Sequence, residues 1–134
     1  MTVIKKLNDL DITLSKLSRK KILSLVPTMG SLHKGHISLI KTALKYSDEV
    51  WVSIFVNPTQ FNDINDYKKY PVNSKEDINI IKSIDQNINI FIPGIDDIYG
   101  KKIIRDKFNF DGIDKILEGI KRPGHFDGVA TIVK

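Results

Sequence analysis

The sequence predicts an α/β fold, a Rossmann-like parallel sheet flanked by helices. Three observations predict it. Two apolar, β-prone runs, Ile22–Pro27 (ILSLVP) and Glu49–Val56 (EVWVSIFV), bracket a glycine-bearing loop and a helical pattern. A further helical pattern and a third β-prone run, Ile88–Ile92 (INIFI), continue the alternation. The 134 residues, 41% of them hydrophobic, suffice for one core but not for two ordinary domains, so residues 1–134 are expected to form a single domain.

Each element has its own signal. Leu7, Leu10, Leu14 and Leu17 recur at helical spacing, which predicts a short amphipathic helix near Asp11–Arg19, then a basic turn over Ser18–Lys21. Ile22–Pro27 reads as a buried strand. Thr28–Gly35 (TMGSLHKG) has two glycines and small polar residues, and a helix is expected from about His36 to Tyr46. Ile37, Ile40 and Leu44 form one face of it and Leu39 and Ala43 an adjoining one, so that helix should be mostly covered. Glu49–Val56 closes a βαβ unit as a second buried strand. Asn57–Asp66 is loop-like. Ser74 is the expected N-cap of a helix reaching about Ile84, with Asp77 three positions on in capping-box register. Pro93-Gly94 ends the third strand. Over Lys101–Phe110 periodicity does not decide between a β-hairpin arm and an irregular excursion. Asp114–Gly119 fits a helical turn, and Val129–Val133 begins another β-prone run.

Composition excludes several classes of function. Without Cys there is no disulfide, thiolate nucleophile or Cys-held metal centre, which fits a reducing compartment. MTVIKKLNDL has no apolar stretch of signal-peptide length, and no segment approaches a membrane span. A soluble, cytoplasmic protein with no membrane partner is expected. The net charge of +5 does not imply nucleic acid, because only Arg19, Arg105 and Arg122 are arginines and the lysines are scattered from Lys5 to Lys134. No repeat, linker or low-complexity tract is present.

The stretch that carries chemistry is Val26–His36, VPTMGSLHKGH, which sets two histidines three apart where a strand gives way to a helix. Unpaired N–H groups and the positive end of the helix dipole suit phosphate oxygens there, and His33 and His36 add side-chain donors. Gly30 and Gly35 let the backbone turn and approach a ligand closely. In isolation H-x-G-H arises by chance; the strand-loop-helix context favours nucleotide binding.

VPTMGSLHKGH resembles the P-T-M-G-A-L-H-x-G-H signature of the pantothenate synthetases, nucleotidyltransferases that share the H-x-G-H loop with class I aminoacyl-tRNA synthetases. Three further stretches agree in order: VSIFVNPTQF (Val52–Phe61), YPVNSKED (Tyr70–Asp77) and LEGIKRPGHFDGVATIV (Leu117–Val133). The resemblance covers nearly the whole chain. It implies an ATP-dependent ligase in which a pantoate carboxylate attacks the α-phosphate of ATP, giving pantoyl adenylate, and the amine of β-alanine then releases AMP. Preorganised donors and proximity suit both steps.

By that resemblance Met29, Gly30, Ser31, Leu32, His33, Lys34, Gly35 and His36 bind ATP. His36 is an electrostatic stabiliser first and a proton donor second, and His33 sits beside it on the phosphates. A phosphate nearby favours the charged imidazolium. Gln60 matches the glutamine that holds pantoate and helps place β-alanine; read alone, it is a turn residue. Phe55, Val129, Ile132 and Val133 match the apolar side of the pantoate pocket, a place that core packing explains equally well. Arg122 and His125 match substrate-facing positions, or are loop residues in water. Asp77 matches an acid associated with the Mg2+ that accompanies ATP, or serves only its cap. Asn57 organises its loop. The family tends to form homodimers.

The sequence also departs from the family. The G-x-K-D-x-Q and M-S-S-R-N segments do not occur in these residues; by the resemblance the nucleotide-binding domain over residues 1–134 is expected to be incomplete and without the C-terminal domain that covers the site, so the chain alone is expected to have little or no ligase activity. Lys34 replaces a loop acid. Three competing readings are another H-x-G-H nucleotidyltransferase, against which NPTQF and RPGHF argue; a non-catalytic module or fragment that binds nucleotide or a partner; and a nucleic-acid-binding domain, against which the even lysine scatter argues.

Overall fold

The computed structural model describes residues 2–100, 103 and 125–133. Four strands, β1 (Val3–Ile4), β2 (Leu23–Thr28), β3 (Glu49–Ile54) and β4 (Asn89–Phe91), form one parallel sheet in the order β1-β4-β3-β2. The expected Rossmann-like sheet flanked by helices is what forms. Helix α2 (Lys34–Tyr46) connects β2 to β3, whose six-residue register runs from Leu23↔Glu49 to Thr28↔Ile54. The chain divides into two compact units, Met1–Phe55 with Pro71–Ile98, and Val56–Tyr70 with Tyr99–Lys134. Each is described on its own.

In the first unit, the two-residue period of β3 sorts the core. Val50, Val52 and Ile54 join Val26, Ile88 and Ile90 on one side, under Ile40 of α2 and Ile81 of α4 (Ser74–Ile84). Trp51 joins Ile4 and Phe91 in a smaller cluster against Leu10 of α1 (Leu7–Ser15) and Ile98 of α5 (Ile95–Tyr99). Ile40, Ile81, Ile88, Ile90 and Val52 are fully enclosed.

Several boundaries differ from expectation for identifiable reasons. Helix α1 starts at Leu7 rather than Asp11 and ends at Ser15. Lys6 offers no side-chain cap, so the Asp97 carboxylate accepts the Leu7 N–H at 3.4 Å instead. Donation by the Gly94 N–H, and then by that of Leu7, holds Asp97 below the usual carboxylate pKa. The turn over Ser18–Lys21 is present, closed by the Lys21 N–H on the Ser18 carbonyl. β2 is less buried than its apolar sequence suggested: Val26 and Thr28 are covered, but Leu23 and Leu25 are exposed, because β2 ends the sheet order. Likewise α2 is half covered, with Ile40 enclosed and Leu39 exposed. The two-residue β1 and five-residue α5 are too short to show a period in sequence. No helix of the described residues is long and apolar enough to cross a membrane.

In the second unit, the expected loop contains a 3-10 turn at Pro58–Gln60 and helix α3 (Ile64–Lys69), capped by the Asp63 carboxylate on the Asn65 N–H. The Phe61 ring meets Tyr67 and Tyr70 edge-on, centroids 5.6 Å apart in each pair. The β-prone Val129–Val133 is not a strand: it lies in helix α6 (His125–Val133). Tertiary packing on the Pro58–Gln60 turn outweighs the strand propensity of its Thr, Ile and Val residues. The expected arm over Lys101–Phe110 and the helical turn over Asp114–Gly119 lie outside the described residues.

Ile81 has no exposed surface, so Ile81→Ala removes packed atoms and leaves a cavity that the surroundings fill only in part. It should cost about 2–5 kcal/mol, read as a lower urea midpoint at unchanged slope.

Candidate functional site

The loop from β2 to α2 is built by satisfying backbone donors that have left the sheet. The Thr28 hydroxyl donates to the Ser53 carbonyl at 2.9 Å and accepts the Gly30 N–H at 3.1 Å. Gly30 turns at φ +80°, and a Cβ there would lie 3.0 Å from Asp77 Oδ2. Ser31 also has positive φ, 52°, uncommon for a residue with a side chain. The Ser31 N–H donates to Asp77 Oδ2 and the Leu32 N–H to Asp77 Oδ1, each at 3.0 Å, and the Ser31 hydroxyl donates to the Pro71 carbonyl at 2.7 Å. Asp77, 2% exposed, comes from α4.

Helix α2 then starts two residues earlier than its apolar pattern suggested, because His33 is its N-cap. His33 Nδ1 accepts the Gly35 N–H at 3.0 Å, and His36 Nδ1 accepts the His33 N–H at 3.2 Å. This is a capping box in which both side chains are imidazoles. The rings stand side by side, centroids 4.1 Å apart. Gly35 makes room for the fold-over: a Cβ on it would sit 2.9 Å from His33 Cε1.

The hydrogen bonds assign the tautomers. With Nδ1 accepting on both rings, each neutral imidazole carries its proton on Nε2, the atom left to donate to a ligand. Burial first, and then the neighbouring His33, lower the His36 pKa below 6.5, while Asp77 partly opposes them. Protonating His36 also turns its Nδ1 into a donor facing the His33 N–H. In the chain without ligand the balance therefore favours neutral His36, the reverse of what a bound phosphate favours.

The second unit has its own polar cluster around Asn57, fully buried ahead of the Pro58–Gln60 turn. Asn57 Nδ2 donates to Gln60 Oε1 and to the Gly128 carbonyl, both at 3.0 Å. Its Oδ1 accepts the Thr59 N–H at 3.2 Å, the Thr59 hydroxyl at 2.9 Å and a short bond from the Tyr99 hydroxyl. Gln60, 9% exposed, thus has its amide oxygen turned toward Asn57. Gly128 brings α6 against this turn: a Cβ there would lie 2.6 Å from Gln60 Cα and collide with the Thr59 carbonyl.

Comparison with known proteins gives this loop its context. A family model described as Pantoate-beta-alanine ligase matches residues 2–134. The chain belongs to the pantoate-beta-alanine ligase family. A pantothenate synthetase of Christiangramia forsetii is 50% identical over 114 residues, 85% of this chain and 40% of that protein. One from Francisella tularensis subsp. novicida is 48% identical over 120 residues, 89% of this chain and 45% of that protein. The chain thus spans less than half the length of these curated relatives. A crystal structure of the Francisella tularensis ligase, complexed with beta-gamma ATP and beta-alanine, superposes with a TM-score of 0.90 at 44% identity. That superposition covers 99% of this chain and 51% of the other. The pantothenate synthetase of Thermus thermophilus gives 0.84 at 33% identity, over 99% and 46%.

Within this ligase family member, the residues expected at ATP fall together in the first unit. Met29 is half-buried, Gly30 buried, Ser31, His33, Lys34 and Gly35 exposed, and Leu32 and His36 intermediate. Asp77 joins them, though not as a capping residue: Asn73 is the N-cap of α4, accepting the Glu76 N–H at 3.1 Å. Ser74, the expected cap, is the first helical residue. Phe55 is buried just past β3. Gln60, Val129 and Ile132 lie in the second unit, the last two on α6 and partly exposed. Arg122 lies outside the described residues; His125 opens α6, and its side chain and that of Val133 lie outside them too. Sequence reasoning missed Thr28, Tyr99 and Gly128. Thr28 was within reach as a hydroxyl two residues before a glycine; Tyr99, 42 residues from Asn57, left no local signal.

Proton NMR titration should find His36 below 6.5, the ordinary histidine value. Because the folded value is the lower one, the unfolded chain binds more protons between it and 6.5. Stability should fall on acidification through that window and flatten below the folded pKa. Gly128→Ala should destabilise by about 1–3 kcal/mol through overpacking, although Ala is ordinarily the better helix residue; urea unfolding gives the sign.

Proposed function

We propose that the chain supplies the ATP-binding part of a ligase that condenses pantoate with β-alanine. A pantoate carboxylate oxygen attacks the α-phosphorus of ATP, the bond to pyrophosphate breaks, and pantoyl adenylate forms. The β-alanine nitrogen then attacks the acyl carbon, AMP departs with the anhydride oxygen, and the nitrogen gives up a proton. The observation that carries this reading is the reciprocal histidine cap at the start of α2, in a chain that belongs to this ligase family.

Met29–His36 receives the triphosphate, with the Nε2–H groups of His33 and His36 as its donors. As negative charge grows on the phosphate oxygens, His36 is drawn toward the imidazolium form and strengthens its hold. Exposed Lys34, at the first position of α2, adds a positive charge beside them. The family match supports Gln60 as the residue that holds pantoate and helps place β-alanine, and Phe55, Val129, Ile132, Arg122 and His125 as further residues for that substrate. A soluble, cytoplasmic homodimer that acts on small molecules, with no nucleic acid or membrane as partner, completes the reading.

Magnesium enters only as the ordinary companion of a triphosphate. Among the described residues no group of three His, Asp or Glu could hold a metal ion, and both Asp77 oxygens already accept loop N–H groups. Because the chain spans less than half of its relatives' length, nucleotide capture without turnover is the second reading.

Calorimetry with ATP on the 134-residue chain separates these cases. Binding is expected, and His36→Ala should weaken it roughly ten- to hundredfold, the effect of one charge-assisted hydrogen bond. His33→Asn keeps a capping side chain but lacks Nε2, so it should weaken binding with little change in stability. AMP release with pantoate and β-alanine present supports the full reaction; binding without AMP supports the second reading; no ATP binding sinks both.

A further inference from the structure

We propose that Asp77 is the positioning residue of the nucleotide loop, its buried carboxylate fixing the bend at Ser31 and Leu32 that aims both histidines, and that it acts through backbone rather than a metal ion. This inference rests on the ATP reading above and adds a residue to its site.

Three features of the geometry carry it. Asp77 is 2% exposed, and each of its oxygens accepts a different N–H from consecutive loop residues at 3.0 Å. An ionised carboxylate with two acceptor oxygens suits that pair of donors. Its own helix does not need it as a cap, because Asn73 already accepts the Glu76 N–H. The bend it grips is an unusual one, with positive φ at Gly30 and Ser31 in succession, the second a residue that takes this conformation only when its surroundings enforce it. Besides Asp77, the Ser31 hydroxyl anchors that bend by donating to the Pro71 carbonyl.

Consequences for the ligand follow from where the loop donors point. With the Ser31 and Leu32 N–H groups turned inward on Asp77, an incoming anion meets the first turn of α2 and the two Nε2–H groups instead. Gly30 is part of the same device, since a Cβ there would press on Asp77 Oδ2 at 3.0 Å and on Ile54 Cγ2 at 3.3 Å. The charge of Asp77 also reaches His36, whose pKa it raises against burial.

Asp77→Asn decides the matter, because the amide keeps the shape but offers one acceptor and sets a donor against the other N–H. Hydrogen exchange on the ligand-free chain should show the Ser31 and Leu32 amides exchanging about tenfold faster or more, with Val52 and Ile90 amides unchanged. ATP affinity by calorimetry should fall about tenfold, equally with magnesium and with EDTA. Asp77→Glu, which keeps two acceptors on a longer arm, should fall between the two; it takes over the test should the core amides of Asp77→Asn show that it unfolds. Unchanged exchange at Ser31 and Leu32, or unchanged ATP affinity, overturns the proposal. So does a loss seen only with magnesium, which makes Asp77 a metal ligand. If the unaltered chain binds no ATP in either buffer, the ATP reading fails, and exchange at the two amides still decides whether Asp77 holds the loop.

Discussion

Backbone N–H groups that leave a parallel strand for a helix have no ladder partner, and burying them unpaired costs more than any single bond returns. Between Thr28 and the first turn of α2 this constraint is met by four side chains: Thr28 takes Gly30, Asp77 takes Ser31 and Leu32, His36 takes His33, and His33 takes Gly35. The loop therefore owes its shape to hydrogen bonds from side chains. Its two histidines are structural parts that can still serve as donors in the proposed site, because one nitrogen of each ring is spent on the backbone and the other is not.

That division explains an electrostatic feature that otherwise looks contrary to function. A site for phosphate is expected to hold positive charge, yet His36 sits in surroundings that lower its pKa. Partial burial is the largest cause, and the adjacent His33 adds to it. A neutral imidazole with its proton on Nε2 still donates a hydrogen bond, so binding does not require a pre-existing cation. An anion in the proposed site would shift that balance toward imidazolium. Without a ligand, a charge on His36 is disfavoured by burial and by the ring of His33, whose centroid is 4.1 Å away.

What was legible in the sequence was whatever repeats locally or sits in one short string. The βαβ unit showed because apolar runs and a helical period survive in a window of a few residues, and the H-x-G-H loop showed because both histidines belong to one turn. The rest depends on partners far apart in the chain. The Asp77 carboxylate reaches Ser31 across 46 positions, so its local register suggested only a cap, and Asn73 outcompeted that reading. The exposure of Leu23 and Leu25 follows from the place of β2 at the end of the sheet order, which no run of residues encodes. Val129–Val133 misled for the opposite reason: β-branched residues favour strands on average, but Gly128 lets this segment lie as a helix against Thr59 and Gln60.

Asn57 and Asp77 solve one problem with different chemistry, and the difference is dictated by what each must bind. Asp77 faces two N–H donors and nothing that needs a proton, so a carboxylate, acceptor on both oxygens, is the matching group. Asn57 faces a mixed set: the Gly128 carbonyl and the Gln60 amide oxygen need donors, while the Thr59 N–H and hydroxyl and the Tyr99 hydroxyl need an acceptor. Aspartate at 57 would set a carboxylate oxygen against two oxygens in a fully buried place, and asparagine at 77 would set an amide hydrogen against an N–H. The pair is isosteric, so packing cannot choose between them. Hydrogen-bond polarity chooses, and by choosing it fixes the bend of the loop at one position and the facing of the Gln60 amide at the other.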